Sequence, residues 1–172
     1  MYCVRHVTKD LYWVGANDHR LTLFENIHPI PRGVSYNAYL LLDERTVLFD
    51  TVDWSACRQL LENLEHLLAG RALDYLVINH MEPDHGASLE EVLLRWPNAG
   101  IIATEKAFML MRQFGFQIDG HEQIEVKEGD TRCFGRHTVT FISAPMVHWP
   151  EAMATLDLTS GALFSADAFG SF

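Results

Sequence analysis

Cysteines and long apolar runs are both scarce in this sequence. The three cysteines, Cys3, Cys57 and Cys133, lie far apart, and none belongs to a CxxC pair. This spacing argues against a disulfide framework and against a thiolate metal site, so we expect a reducing, cytoplasmic compartment. No apolar run approaches the roughly 20 residues that a membrane-spanning helix needs, and the N-terminus lacks the basic-then-apolar pattern of a secretory signal. We therefore expect no membrane partner.

Positive charge is also in short supply. The chain has 13 Lys and Arg residues against 23 Asp and Glu residues, which gives a formal net charge of −10 at pH 7. This acidic balance argues against nucleic acid as a partner and suits a protein that attracts cations. Apolar residues make up 48% of the 172 residues, enough for a hydrophobic core. Because repeats and linker-like stretches are missing, residues 1–172 are predicted to form one domain.

Hydrophobic periodicity predicts helices and strands mixed along the chain. Residues 55–68 have helical spacing with Cys57 as a small core residue, and Gly70 stops this helix. Two more helices are predicted at 87–95, with a Ser88/Glu91 capping box, and at 105–114, capped by Thr104. Short patterns typical of strands occupy residues 11–15, 36–42, 46–49, 73–78, 100–103, 124–126, 132–134, 138–143, 152–156 and 162–165. Together they indicate a layered α/β architecture.

The segment from Asn79 to Gly86 carries most of the chemistry. Four side chains that bind metals fall between positions 80 and 85, namely His80, Glu82, Asp84 and His85. The segment directly follows a predicted buried strand, and loops at strand ends are common places for functional sites. In an extended loop, His80, Glu82 and Asp84 share one side. The alternative is a polar loop in which Asp84 caps a helix and the histidines are incidental, but the density of the cluster argues against it.

Three further residues follow predicted strands. Taken alone, His148 is typical of a structural histidine, and Asp167 is typical of a turn or cap carboxylate. If the strands before His148 and Asp167 share a sheet with the strand before His80, the ends of these three strands converge on one cleft. Asp50, at the end of strand 46–49, either orients a ligand histidine through a hydrogen bond or acts as a turn acceptor.

The order His80-x-Glu82-x-Asp84-His85, then His148, then Asp167 resembles the metallo-β-lactamase superfamily. Hydrolases of that superfamily usually have His where this chain has Glu82. With glutamate at this position, the motif resembles that of the flavodiiron proteins, also called A-type flavoproteins. Other segments along the whole chain strengthen this resemblance: Pro83, Trp13-Val14-Gly15, Leu23-Phe24-Glu25, Gly33-Val34-Ser35-Tyr36-Asn37-x-Tyr39 and Asp167-Ala168-Phe169-Gly170.

The resemblance implies an α/β fold, the metallo-β-lactamase-like αββα sandwich, of which this chain is the N-terminal part. It also implies a site for two iron ions and no catalytic residue beyond the metal site. The implied ligands are His80, Glu82 and His148 on one iron, Asp84 and His85 on the other, and Asp167 bridging both. A carboxylate in place of an imidazole makes the site harder and more negative, which favours iron, with zinc as a possible substitute.

The implied activity is reduction of dioxygen to water or of nitric oxide to nitrous oxide. Electrons are expected from FMN, and a donor such as rubredoxin is expected upstream. Family members normally continue with another histidine ligand, further strands and a flavodoxin-like FMN domain, whereas this chain stops at Phe172. We therefore expect a truncated chain, with exposed apolar surface that a second copy covers in a homo-oligomer.

Two other functions stay open at this point. The first is a metal-dependent hydrolase of the same superfamily, in which a metal-bound hydroxide attacks an ester, lactam or phosphodiester. Glu82 weighs against it. The second is a non-catalytic fragment that keeps the fold but does not turn over. Metal content distinguishes them: two irons indicate the reductase, two zincs the hydrolase, and an empty or single-metal site the fragment.

Overall fold

The computed structural model describes residues 2–24 and 26–169, so the motif residues Glu25 and Gly170 lie outside the described part of the chain. The strands are β1 (Arg5–His6), β2 (Leu11–Trp13), β3 (Ala16–Asp18), β4 (Leu23–Phe24), β5 (His28–Pro29), β6 (Val34–Tyr36), β7 (Tyr39–Leu42), β8 (Thr46–Phe49), β9 (Tyr75–Val77), β10 (Gly100–Ala103), β11 (Gln123–Glu125), β12 (Thr131–Cys133), β13 (Thr138–Ser143), β14 (Met153–Asp157) and β15 (Leu163–Phe164). The helices are a 3-10 turn at Trp54–Ala56, α1 (Cys57–Leu68), α2 (Pro83–Gly86), α3 (Leu89–Arg95) and α4 (Glu105–Gln113).

Most of the strands belong to two sheets. The larger sheet has the order β1-β2-β7-β8-β9-β10-β11, and the smaller has the order β12-β13-β14-β15. Strands β8 to β11 are parallel to one another. Parallel neighbours need a crossover connection, and α1, α3 and α4 each lie on one. The carboxyl ends of β8 and β9 therefore open at the same edge of the larger sheet, next to the predicted metal-binding segment.

The larger sheet is buried on both faces. One face packs against the apolar sides of α1, α3 and α4, through residues such as Leu60, Val92 and Phe108. The other face packs against the smaller sheet, and its core includes Phe49, Val77, Phe141, Met153 and Phe164. A helix layer, a seven-stranded sheet and a four-stranded sheet thus stack in that order, which confirms the predicted layered α/β architecture.

The predicted strand at 36–42 is interrupted. Strand β6 pairs with β3, whereas β7 pairs with β2, so the chain changes partners at Asn37 and Ala38. Gly15 makes this crossing possible because a Cβ atom there would lie 1.9 Å from the carbonyl oxygen of Tyr36. Alternation in the sequence cannot reveal such a close approach of two backbones.

The helix starts were predicted with mixed success. Thr104 caps α4 as expected, since its hydroxyl oxygen accepts a hydrogen bond from the backbone nitrogen of Ala107. The prediction of a Ser88/Glu91 capping box is wrong, because the Ser88 hydroxyl donates instead to the carbonyl oxygen of Val52. Cys57 is buried in α1, as expected for a small core residue.

Several large apolar side chains are exposed, among them Ile27, Leu94, Met146 and Phe169. Whether a second copy covers them stays a prediction. Among the described residues, no helix has the length and apolar character needed to cross a membrane.

Candidate metal centre

The segment after β9 is held between the two sheets by Asn79. Its backbone nitrogen and side-chain amide donate to the two carboxylate oxygens of Asp50, at 2.7 and 3.0 Å, and its amide oxygen accepts from the Thr155 hydroxyl at 2.7 Å. Asp50 thus acts as a buried loop acceptor. Among the described residues it has no hydrogen bond to a histidine, so the alternative in which it directly orients a ligand histidine is not supported.

The segment is extended only as far as Glu82. His80 and Glu82 lie on the same side, with 3.1 Å between His80 Nε2 and Glu82 Oε2. Pro83 then begins the short helix α2, for which its fixed φ is well suited. Asp84 and His85 lie within this helical turn, so the predicted extended conformation through Asp84 is wrong. The turn places His85 beside the other ligands more directly than an extended chain would.

The two distant candidates, His148 and Asp167, reach the same place from the smaller sheet. His148 lies in the turn between β13 and β14, and its Nε2 is 2.7 Å from Glu82 Oε2. Asp167 follows β15, and its Oδ1 is 2.8 Å from His85 Nε2. Its Oδ2 lies 3.4 Å from His80 Nε2 and 3.5 Å from His148 Nε2. The structure therefore brings together all six residues that the sequence predicted.

The six side chains form two overlapping groups. Each group offers ligand atoms that all lie within 4.8 Å of one another, and Asp167 belongs to both. The groups are His80, Glu82, His148 and Asp167, and Asp84, His85 and Asp167. The resemblance implies the same grouping, with Asp167 shared, and metal binding by these side chains stays a prediction.

The histidines of the centre have raised pKa values. Burial alone would lower the pKa of His80, yet hydrogen bonds with Glu151 and Glu82 raise it to about 10. Burial likewise opposes the charged form of His85, but its contact with Asp167 raises its pKa to about 9. Both imidazoles are therefore protonated at neutral pH when no metal is bound.

The pKa values of two carboxylates in the centre, Asp84 and Asp167, are shifted in opposite directions. Burial raises the pKa of Asp84 to about 6, with further contributions from the nearby charges of Asp167 and Glu82. Asp167 is also partly buried, which opposes its ionisation, but its hydrogen bond with His85 lowers its pKa to about 2. The centre thus holds acidic groups at distances where they repel one another unless cations lie between them.

Unpaired polar atoms support a metal at this position. Asp84 Oδ1 and His85 Nδ1 are buried, and neither has a hydrogen-bond partner in the described part of the chain. A buried carboxylate oxygen without a donor is costly, and a metal ion would relieve that cost. Three carboxylates and three imidazoles form a donor set that suits iron. The residues present therefore fit a pair of metal ions.

The centre is open on the side of the smaller sheet. The His148 side chain is 56% exposed and that of Asp167 is 32% exposed, whereas that of His80 is 1% exposed. One wall is therefore buried, while the other faces outward.

Sequence reasoning missed one residue at the centre, Glu151. Its Oε1 lies 2.8 Å from His80 Nδ1 and accepts a hydrogen bond from the backbone nitrogen of Met81 at 2.9 Å. Its pKa is lowered, because the contacts with His80 and Met81 outweigh the effect of its burial. The available signal was an acidic residue three positions after His148, but spacing alone does not show which histidine it contacts.

The chain is similar to nitric oxide and oxygen reductases. It is 37% identical over 165 residues to a nitric oxide reductase from Moorella thermoacetica, covering 95% of this chain and 41% of the relative. A flavodiiron protein from Giardia intestinalis has a similar structure, with a TM-score of 0.91 at 28% identity over 98% of this chain and 41% of the other. The rubredoxin oxygen:oxidoreductase from Desulfovibrio gigas gives a TM-score of 0.86 at 30% identity, covering 94% of this chain and 40% of the other.

The chain spans about two fifths of the length of these proteins. Its fold is the metallo-β-lactamase-like fold of the flavodiiron proteins, which confirms the fold and the resemblance predicted from the motifs. A family model described as ODP family beta lactamase matches residues 34–172, and the chain belongs to that family.

Proposed function

We propose that residues 1–172 form the metal-binding domain of a diiron oxidoreductase, which reduces nitric oxide to nitrous oxide or dioxygen to water. The proposal depends on one observation: six side chains from both sheets converge in two groups that share Asp167. Glu82 is the residue that separates this donor set from the hydrolases of the superfamily. The similarity to a nitric oxide reductase and to a rubredoxin oxygen:oxidoreductase supports the same reaction class.

In this proposal each side chain has a defined place. His80, Glu82 and His148 hold one iron, Asp84 and His85 hold the other, and Asp167 lies between them. When bound, the two irons would supply the electrons that reduce a diatomic ligand. The protein's own contribution is to fix the donors from a buried wall and to leave the side near His148 open.

Electron supply and assembly extend the proposal beyond this chain. FMN on a flavodoxin-like domain or a partner subunit would pass electrons to the irons, and a rubredoxin-like protein would reduce the FMN. Head-to-tail pairing of two copies would bring the flavin of one copy to the irons of the other. We place the protein in the cytoplasm.

The proposal is tested by metal content and turnover after purification without oxygen. We expect about two irons per chain and consumption of nitric oxide or dioxygen when a reduced flavin partner is supplied. The matched variant Glu82→His restores the hydrolase-like donor and should shift the preference from iron towards zinc.

Two results would contradict the proposal in different ways. Two tightly bound zincs together with hydrolysis of an ester, lactam or phosphodiester would indicate the hydrolase. A metal-free or single-metal protein that consumes neither gas would indicate a non-catalytic fragment.

A further inference from the structure

Glu151 is a buried carboxylate that the protein holds in one position. Its side chain is fully buried. Its Oε1 accepts the backbone hydrogen bond of Met81, and its own carbonyl oxygen accepts a hydrogen bond from the Thr104 hydroxyl at 3.1 Å. The residue is therefore fixed both through its side chain and through its backbone, between the start of β14 and the segment after β9.

This carboxylate determines which nitrogen of His80 can bind a metal. A carboxylate only accepts hydrogen bonds, so the 2.8 Å contact with Glu151 Oε1 requires that His80 Nδ1 carries the proton. The remaining nitrogen, Nε2, is directed at Glu82 and Asp167, at 3.1 and 3.4 Å. The imidazole is thus held with its metal-binding nitrogen facing the other ligands before any metal arrives.

The second group has no comparable support. His85 Nε2 faces Asp167, but its Nδ1 has no hydrogen-bond partner in the described part of the chain. Asp84 Oδ1 likewise has none there. Thr51 holds the backbone carbonyl oxygen of His85, but the His85 and Asp84 side chains are less constrained than the His80 imidazole, so ordering them costs more on metal binding.

We propose that Glu151 is a positioning residue that orients His80 through its Nδ1 hydrogen, so that the His80/Glu82/His148 position binds metal more tightly than the Asp84/His85 position. The inference rests on the proposed two-metal site and adds the order in which the two positions fill. A histidine whose far nitrogen donates to a carboxylate is a better ligand, because its orientation is fixed and its basicity is raised. At partial loading the first metal ion should occupy the position that contains His80.

The chain offers a matched control at the other end of β14. His137 is buried and its Nδ1 lies 2.7 Å from Asp157 Oδ2, so this pair has the same chemistry as His80 and Glu151. His137 belongs to neither ligand group. Replacing Glu151 and Asp157 by their amides, Glu151→Gln and Asp157→Asn, therefore separates an effect on metal binding from a general effect of removing a buried charge.

The experiment is a Zn²⁺ titration of the metal-free chain in competition with a chelator, with both variants in parallel. We expect two unequal affinities in the unaltered chain. Glu151→Gln should weaken the tighter one by roughly 10- to 100-fold and leave the other unchanged, whereas Asp157→Asn should change neither. Nitrogen-15 NMR of the zinc-loaded chain should show His80 protonated at Nδ1 and bound through Nε2.

The outcomes separate this inference from the proposed function. If the unaltered chain binds no metal, the proposed function fails and the inference fails with it. If it binds two metals with equal affinity, or if Glu151→Gln leaves the tighter affinity unchanged, only the inference is overturned. If Glu151→Gln does not fold, Glu151→Asp serves instead, because it keeps the charge but moves the acceptor away, and an unchanged tighter affinity would again overturn the inference.

Discussion

The two ends of β14 each place a carboxylate against a buried histidine, but their charges are balanced in different ways. At the far end, His137 lies between Asp157 at 2.7 Å and Asp10 at 3.5 Å, and Arg136 neutralises Asp10 and Asp43. The protein supplies every partner there. This far-end cluster therefore stabilises the fold without needing a ligand.

At the metal centre the balance is incomplete. In the described part of the chain, Asp84, Asp167 and Glu151 form ion pairs with histidines and with no lysine or arginine. Buried polar atoms of Asp84 and His85 have no partner there. These acidic groups are paired with protonated imidazoles, whose protons a metal cation can replace. The same strand thus ends in a structural cluster on one side and in the proposed metal-binding cluster on the other.

The largest effect is expected for Asp167→Ala. The variant removes the one residue common to both ligand groups and leaves His85 Nε2 without its 2.8 Å partner. We expect the bound metal to fall from about two ions per chain to one or none, as measured by elemental analysis. An unchanged metal content would show that the shared position of Asp167 has no role in binding.

The second largest effect is expected for a substitution in the far-end cluster. Asp157→Ala leaves buried His137 without its Nδ1 partner and removes the acceptor of the backbone nitrogen of Thr159. The free energy of unfolding should fall by about 3 kcal/mol, as measured by urea denaturation of the metal-free chain. Metal content should stay the same. A loss of metal equal to that in Asp167→Ala would break the distinction between the two clusters.

The pH dependence separates the clusters further. In the metal-free chain the pKa values of His80 and His85, about 10 and about 9, lie above their ordinary 6.5. Their contribution to stability is therefore complete below about pH 6.5 and is lost as pH rises through 9 and 10. A metal displaces one proton from each imidazole, so its apparent affinity should increase with pH over the same range.

Calorimetry in buffers of different ionisation enthalpy measures this release. Proton uptake on metal binding, or no exchange of protons at pH 7.5, would contradict the assigned protonation of His80 and His85. The corresponding measurement of Asp157→Asn should match the unaltered chain.

The smallest effect is expected for Arg136→Gln. The Arg136 side chain is 57% exposed, although its partners Asp10 and Asp43 are largely buried. Exposed charges are screened by solvent, so the loss of unfolding free energy should be smaller than that in Asp157→Ala and should shrink as salt is added. A loss as large as that in Asp157→Ala would mean that Arg136, and not the carboxylate pair around His137, holds the far-end cluster together.

The site was more predictable from the sequence than the fold details were. The six side chains of the candidate site could be predicted to lie together because their residue types are distinctive and four of them are densely clustered at 80–85. The conformation of the segment at 80–85 could not be predicted, because the helical turn that begins at Pro83 depends on how α2 packs. Thr51 and Asp50 donate from their backbone nitrogens to the carbonyl oxygens of His85 and Val77, and no local pattern encodes those contacts.

Glu151 shows the limit of reading one segment at a time. It contacts His80 across a separation of 71 residues, and only the packing of the two sheets against each other brings these residues together. The same holds for the break between β6 and β7, which depends on Gly15. Asp50 shows the same limit, because it was predicted to accept within a turn or from a ligand histidine, whereas it accepts from Asn79, 29 residues away.

The open wall formed by His148 and Asp167 has a consequence for folding. These residues meet the segment after β9 across separations of 66 and 82 residues. A bound metal would therefore link the segment after β9, near the middle of the chain, to His148 and Asp167, and would close long loops whose ordering otherwise costs entropy. Amide hydrogens of β14 and β15 should then exchange with solvent more slowly once the chain is loaded, while those of α1 keep their rate.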